Sequence, residues 1–60
     1  MDYKIIVAGE KYESDAVREI ERQVEEYLEK GWKPLGGVSI SRSDTTGFTK
    51  VVIAQAMIKE

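Results

Sequence analysis

Between Val51 and Ile58 the chain runs V-V-I-A-Q-A-M-I, eight residues of which only Gln55 is strongly polar. A strand that apolar has no face to give to water, so the stretch from Phe48 to Lys59 reads as the central strand of a small sheet. The rest of the chain has to supply what covers it. Sixty residues make one domain, 1–60. A chain of that length buries only about 60 % of the surface its unfolded form exposes, so its stability is expected to be marginal.

There is no cysteine and no histidine, which removes a disulfide framework, the usual zinc sites, the thiol nucleophile and every Ser-His or Cys-His arrangement. Without those staples, good packing or oligomerisation must do the stabilising. The net charge of −2 comes from interspersed charges of both signs, which offers no field for a nucleic-acid backbone. No apolar run approaches the roughly 20 residues of a membrane span, and Met1-Asp2-Tyr3-Lys4 opens no signal-peptide core. The expectation is a soluble, cytoplasmic protein with no nucleic-acid or membrane partner.

Tyr3 to Ala8 alternates Tyr3, Ile5 and Val7 against Lys4, Ile6 and Ala8, the period of a strand. Ser14 has the chemistry of a helix N-cap, flanked by Glu13 and Asp15 at the positive end of the dipole. Val17, Ile20, Val24, Tyr27 and Leu28, with Ala16 beside them, form one apolar stripe, and Gly31 follows as a left-handed cap, with Trp32 placed to cover the last turn. These signals predict a helix over about 15–30. From Trp32 to Arg42 a second strand sets Val38 and Ile40 against Ser39 and Ser41. Pro34 and the Gly36-Gly37 pair mark it as an edge strand with a bulge or bend. Ser43 to Gly47 is expected to be a hairpin turn longer than the minimal two residues.

Strand, helix, strand, strand admits two sheet orders, 1-2-3 and 1-3-2. The second is preferred, because the last strand carries the apolar run and the second carries the edge signs. The expected fold is therefore α+β, a β-α-β-β chain with a three-stranded antiparallel sheet and one helix on one face. A single helix covers one face only. The small pair Ala54 and Ala56 would let it approach closely, which leaves Val51, Ile53 and Met57, with Ile6, as an expected oligomer interface. Gln55 falls on that same face, as a hydrogen-bonding group across a subunit boundary or as a ligand-reading amide.

Carboxylates are what remain for acid–base work. None is forced by the pattern into an apolar environment, so no catalytic residue is assigned and an enzyme is not expected. No D-x-D-x-D-G loop or carboxylate cluster suggests a metal, and no cofactor is implied. Two constellations could grip a small anion: the backbone N–H groups of Gly36 and Gly37 near Trp32, and Arg42 in the hydroxyl-rich S-R-S-D-T-T-G segment. Bulge, core and solvated-tip roles compete with that reading. The candidate ligand residues are thus Gly36, Gly37, Arg42, Trp32 and Gln55.

The segments G-W-K-P-L-G-G-V at 31–38 and A-Q-A-M-I at 54–58 resemble the G-W-x-P-x-G-G … A-Q-A-M signature of a family of small bacterial and phage proteins, domain of unknown function seventeen thirty-seven. The resemblance covers nearly the whole chain, singling out Gly31, Trp32, Pro34, Gly36, Gly37, Ala54, Gln55, Ala56 and Met57, and implies no established activity. By analogy alone, small oligomeric phage proteins that sequester nucleotide-derived immune signals suggest one kind of ligand. The functional expectation is a small non-enzymatic homo-oligomeric binding module, with a small anionic or nucleotide-like ligand at a subunit interface. The alternative is a structural or protein-interaction adaptor in a phage or bacterial assembly.

Overall fold

A computed structural model describes residues 1–45 and 48–60, with side chains 44–48 excepted. Strand β1 (Asp2–Glu10), helix α1 (Glu13–Glu29), strand β2 (Lys33–Thr45) and strand β3 (Phe48–Lys59) follow in chain order. The sheet order is β1-β3-β2, and β3 is antiparallel to both neighbours. The most apolar strand thus takes the only position with a neighbour on each side, as its composition demands.

Helix α1 lies over β1 and β3 and barely reaches β2. Ala16 and Ile20 are buried against Ile6, Ala8, Val51, Ile53 and Met57, with Val24, Tyr27 and Trp32 packed around this core. The helix ends as its sequence predicts. Trp32 N–H donates to the Tyr27 carbonyl at 2.9 Å, Gly31 N–H donates to that of Leu28 at 3.1 Å, and Gly31 takes φ 91°. Those are the paired bonds of a Schellman cap, and the Trp32 ring closes edge-on against Tyr27 at 5.8 Å.

Three expectations are corrected. Helix α1 begins at Glu13 with Tyr12 as its N-cap and no side-chain cap bond, so Ser14 lies inside the first turn. The acidic pair Glu13 and Asp15 still complements the positive end of the helix. Of the expected turn, Ser43, Asp44 and Thr45 instead pair with Lys50, Thr49 and Phe48, while Thr46 and Gly47 lie outside the described residues.

The third correction concerns the faces of the sheet. Val51, Ile53 and Met57 are at most 2 % exposed and point at the helix together with Ile6, so they form the intramolecular core and not an oligomer interface. The small residues that let the helix approach come from elsewhere, from Ala16 of α1 and Ala8 of β1, both essentially buried. With those at the contact, the larger β3 side chains fill the space beneath the helix and Ala54 and Ala56 turn away from it.

Candidate functional site

The face opposite the helix is uncovered. Antiparallel partners share a face, so the register places Tyr3, Ile5 and Val7 of β1 beside Ile58, Ala56 and Ala54 of β3, and Leu35 of β2 on the other side of Ala56. Tyr3, Ile5, Val7 and Leu35 are each about half exposed, while Val52, Ala54, Ala56 and Ile58 are half-buried by these neighbours. The surface has relief: a ridge along β1, and a trough over the two alanines of β3.

Between Leu35 and Ser39 the β2–β3 ladder shifts, and Gly36, Gly37 and Val38 together face the single residue Gln55. Two extra residues are an even insertion, so the alternation survives it and Leu35, Ser39 and Ser41 share the open face. Gly36 takes φ 72°, a left-handed conformation that costs a residue with a Cβ about 1–2 kcal/mol. The space beside Gly36 and Gly37 is open, since a Cβ at either would meet nothing within 4 Å.

Gln55 is 5 % exposed and its amide holds the bulge. Nε2 lies 3.2 Å from the Gly36 carbonyl, 3.4 Å from that of Leu35 and 2.9 Å from that of Ala56. An amide nitrogen has two hydrogens, and these acceptors occupy them within one chain. Of the two roles expected for Gln55, a structural bond describes it, made inside the subunit and not across a boundary. Arg42 donates to Glu13 at 3.2 Å, an ion pair with both side chains more than half exposed, which is worth little and leaves the guanidinium free to exchange partners. Arg42 pairs with Val51 and the bulge faces Gln55, four residues along β3, so the two are about 13 Å apart in one chain. Trp32 belongs to the helix cap and the edge of the core.

Another concavity is an open depression of about 390 Å³ lined by Glu10, Asp15, Arg18, Glu19 and Arg22. Arg22 there bridges Glu19 and Glu26, with Nη1 2.6 Å from Glu26 Oε1. The bonds from Arg22, then Gln23, lower the Glu19 carboxyl below its ordinary 4.5. Arg22 and Glu19 are committed to each other there, and a lining of three carboxylates and two guanidiniums favours neither an anion nor a cation. Among the described residues, no group of three metal-ligating side chains occurs and no helix is long and apolar enough to cross a membrane.

The half-exposed apolar residues Tyr3, Ile5, Val7 and Leu35 were not singled out from the sequence as a surface. The signal was the strict alternation in β1. It shows two sets, but only the cross-strand register says which set shares a face with Ala54 and Ala56.

Fold and surface together define a two-layer α+β protein, a β-α-β-β chain with one helix on one face of a three-stranded sheet and a bare apolar face opposite. The family model for a domain of unknown function, DUF1737, matches residues 12–60, and the chain belongs to that family. No curated protein and no solved structure matched it.

Proposed function

We propose that the protein is a non-enzymatic module of the cytoplasm that associates with itself through the open sheet face, and that a small anionic or nucleotide-like ligand binds at a subunit boundary. The observation that carries the reading is the uncovered apolar surface of Tyr3, Ile5, Val7, Leu35, Ala54, Ala56 and Ile58. Three strands spaced about 4.8 Å apart and some seven residues long give a flat footprint of roughly 350 Å². With side-chain relief, the accessible area is roughly 600 Å² per subunit, at the lower end of stable interfaces.

A second copy fits this face better than an arbitrary partner does. Turned by a two-fold axis, the β1 ridge of each copy enters the Ala54/Ala56 trough of the other, so one surface supplies both halves of the contact. The ligand part rests on less: the unhindered backbone at Gly36 and Gly37 and the weakly held Arg42. No step of chemistry is assigned to it. Glu19 and Arg22, whose bond to each other lowers the one and raises the other, are an exposed ion pair on the helix.

Light scattering on the unmodified protein and on Ile5→Lys tests the association. The unmodified protein should carry at least twice the monomer mass of 6.8 kDa at micromolar concentration, and Ile5→Lys should reduce it while leaving the circular dichroism of the fold intact. A folded monomer throughout would refute self-association and favour the adaptor reading, in which a foreign protein covers the face. For the ligand, a thermal-shift series with mononucleotides, cyclic dinucleotides and nucleotide sugars should show stabilisation that Arg42→Ala removes. No shift with any of them would exclude that part.

A further inference from the structure

Where helix α1 ends, lysines from three parts of the chain come together. Lys4 of β1 and the C-cap residue Lys30 both hold their ammonium groups over the Tyr27 ring, 5.2 and 5.4 Å from its centroid. Lys59 of β3 lies beside the same cap, its Cε 3.7 Å from where a Cβ on Gly31 would stand. Both strand lysines are on the helix side of the sheet, since they alternate with the open-face residues Tyr3 and Ile58.

A lysine at the negative end of a helix complements the dipole, and that accounts for Lys30. It does not account for Lys4 and Lys59, which the sheet brings there. Two of the carbonyls at this end are moreover taken, because Tyr27 accepts from the N–H groups of Lys30 and Trp32 and Leu28 accepts from that of Gly31.

Carboxylates do not answer the cluster either. Glu26, one turn before Lys30, is held by Arg22 at 2.6 Å. Among the described residues, the ion pairs join Arg22 to Glu19 and Glu26 and Arg42 to Glu13, and none includes these lysines. Glu29 and Glu60 adjoin the cluster in sequence, but the turn of the helix and the pleat of the strand direct them away from it. At this end of the sheet, Asp2 alone of the described residues puts a carboxylate on the helix side, opposite Lys59 and two residues from Lys4.

We propose that Lys4, Lys30 and Lys59 form a binding site for a phosphate group. Three ammoniums against the Asp2 carboxylate leave an excess of two positive charges, which a phosphate at pH 7, with a charge of about −1.5 to −2, balances. The Tyr27 ring draws Lys4 and Lys30 to one place before any ligand arrives, so less side-chain freedom is lost on binding. Because the ammoniums lie over that ring and Trp32 closes on it edge-on, the site reads the anion and not a base stacked on the aromatic pair. It lies within one chain, on the side away from the open face, and so does not depend on self-association. Nor does it involve Arg42, which pairs with Val51, eight residues and about 27 Å along β3 from Lys59.

Trp32 is the only tryptophan and belongs to the cap beside the site, so its fluorescence reports binding. Titration with inorganic phosphate and with pyrophosphate, at an ionic strength held constant with sodium chloride, should give a saturable change in the unmodified protein. Lys4→Gln and Lys30→Gln should each weaken binding by about two- to fivefold, Asp2→Asn should strengthen it by a similar factor, and Arg42→Ala should leave it unchanged. Amide shifts followed by NMR over the same titration should centre on Lys4, Lys30 and Gly31, a reading that needs no variant. A response that does not saturate with either anion overturns the site, as do amide shifts centred elsewhere. Weakening by Arg42→Ala alone also overturns it and assigns the anion to β2 instead. So does an unaltered curve in both lysine variants with their circular dichroism unchanged. Saturation by both anions supports a site for a single phosphoryl group, and saturation by pyrophosphate alone supports the site with a diphosphate as its ligand.

Discussion

Shaving one isoleucine from each face of the sheet measures which face is the core. Ile53 is 1 % exposed beneath α1, while Ile5 is 55 % exposed on the opposite surface. Ile53→Ala removes three buried carbons from a site closed by Ile20, Ala16 and Met57, and substitutions of that kind cost about 2–5 kcal/mol. Ile5→Ala gives up side-chain burial that is only half made in a single chain, about 1 kcal/mol. The whole domain should hold roughly 3–9 kcal/mol at 60 residues, so the first change removes up to half or more of it. With a urea slope near 1 kcal/mol per M for a small domain, the midpoint of Ile53→Ala should fall by about 2 M or more and that of Ile5→Ala by about 1 M. Equilibrium unfolding should be run at two protein concentrations. Self-association makes the Ile5→Ala deficit grow at the higher one, whereas the Ile53→Ala deficit persists at both. Equal midpoints at low concentration, or a larger loss at Ile5, would show that the helix covers the other face.

Gln55→Leu keeps the volume of the buried side chain but leaves the Leu35 and Gly36 carbonyls without their donor, so a loss of about 1–3 kcal/mol in chemical denaturation is expected; an unchanged midpoint would mean that water satisfies the bulge equally well. Gly31→Ala puts a Cβ on a residue at φ 91° with its nearest obstacle, the Lys59 side chain, 3.7 Å away. Backbone strain of about 1–2 kcal/mol should then lower the melting temperature by at least about 4 °C, and a melt identical to the parent would argue against the left-handed cap. The Glu19 carboxylate is held below the ordinary 4.5 chiefly by its bond from Arg22. A depressed folded value means its contribution is fully present above pH 4.5 and is lost as the pH falls through the folded value; a carbon-detected NMR titration of Glu19 should place its midpoint below 4.5, and a midpoint at or above it would exclude the ion pair in solution.

The elements and their order were legible because each has a local cause. The Val51–Ile58 run demanded two neighbours, Pro34 and Gly36-Gly37 demanded an edge, and Gly31-Trp32 demanded a helix end. The face was not legible. Ala54 and Ala56 look like a helix seat when β3 is read alone, yet close approach is a property of two surfaces, and Ala16 with Ala8 already provides it. The helix start was misread for a related reason: Ser14 can cap, but Glu13 and Asp15 act at the positive end of the helix equally well from inside the first turn. In the candidate ligand set, Trp32 and Gln55 were drawn from residues whose chemistry is used within the chain. Gly36, Gly37 and Arg42 retain open groups, but they stand several residues apart on one extended strand, so a single chain cannot bring them together.

Gln55 is where these levels meet. It interrupts the apolar run because the bulge opposite it leaves backbone carbonyls that need a donor within the sheet. An apolar residue there would make β3 more uniform and the ladder free to slide. By holding two extra residues in β2, the amide fixes Ser39 opposite Ala54 and Ile40 opposite Ile53. It thereby sets which part of the edge is broken and which is regular.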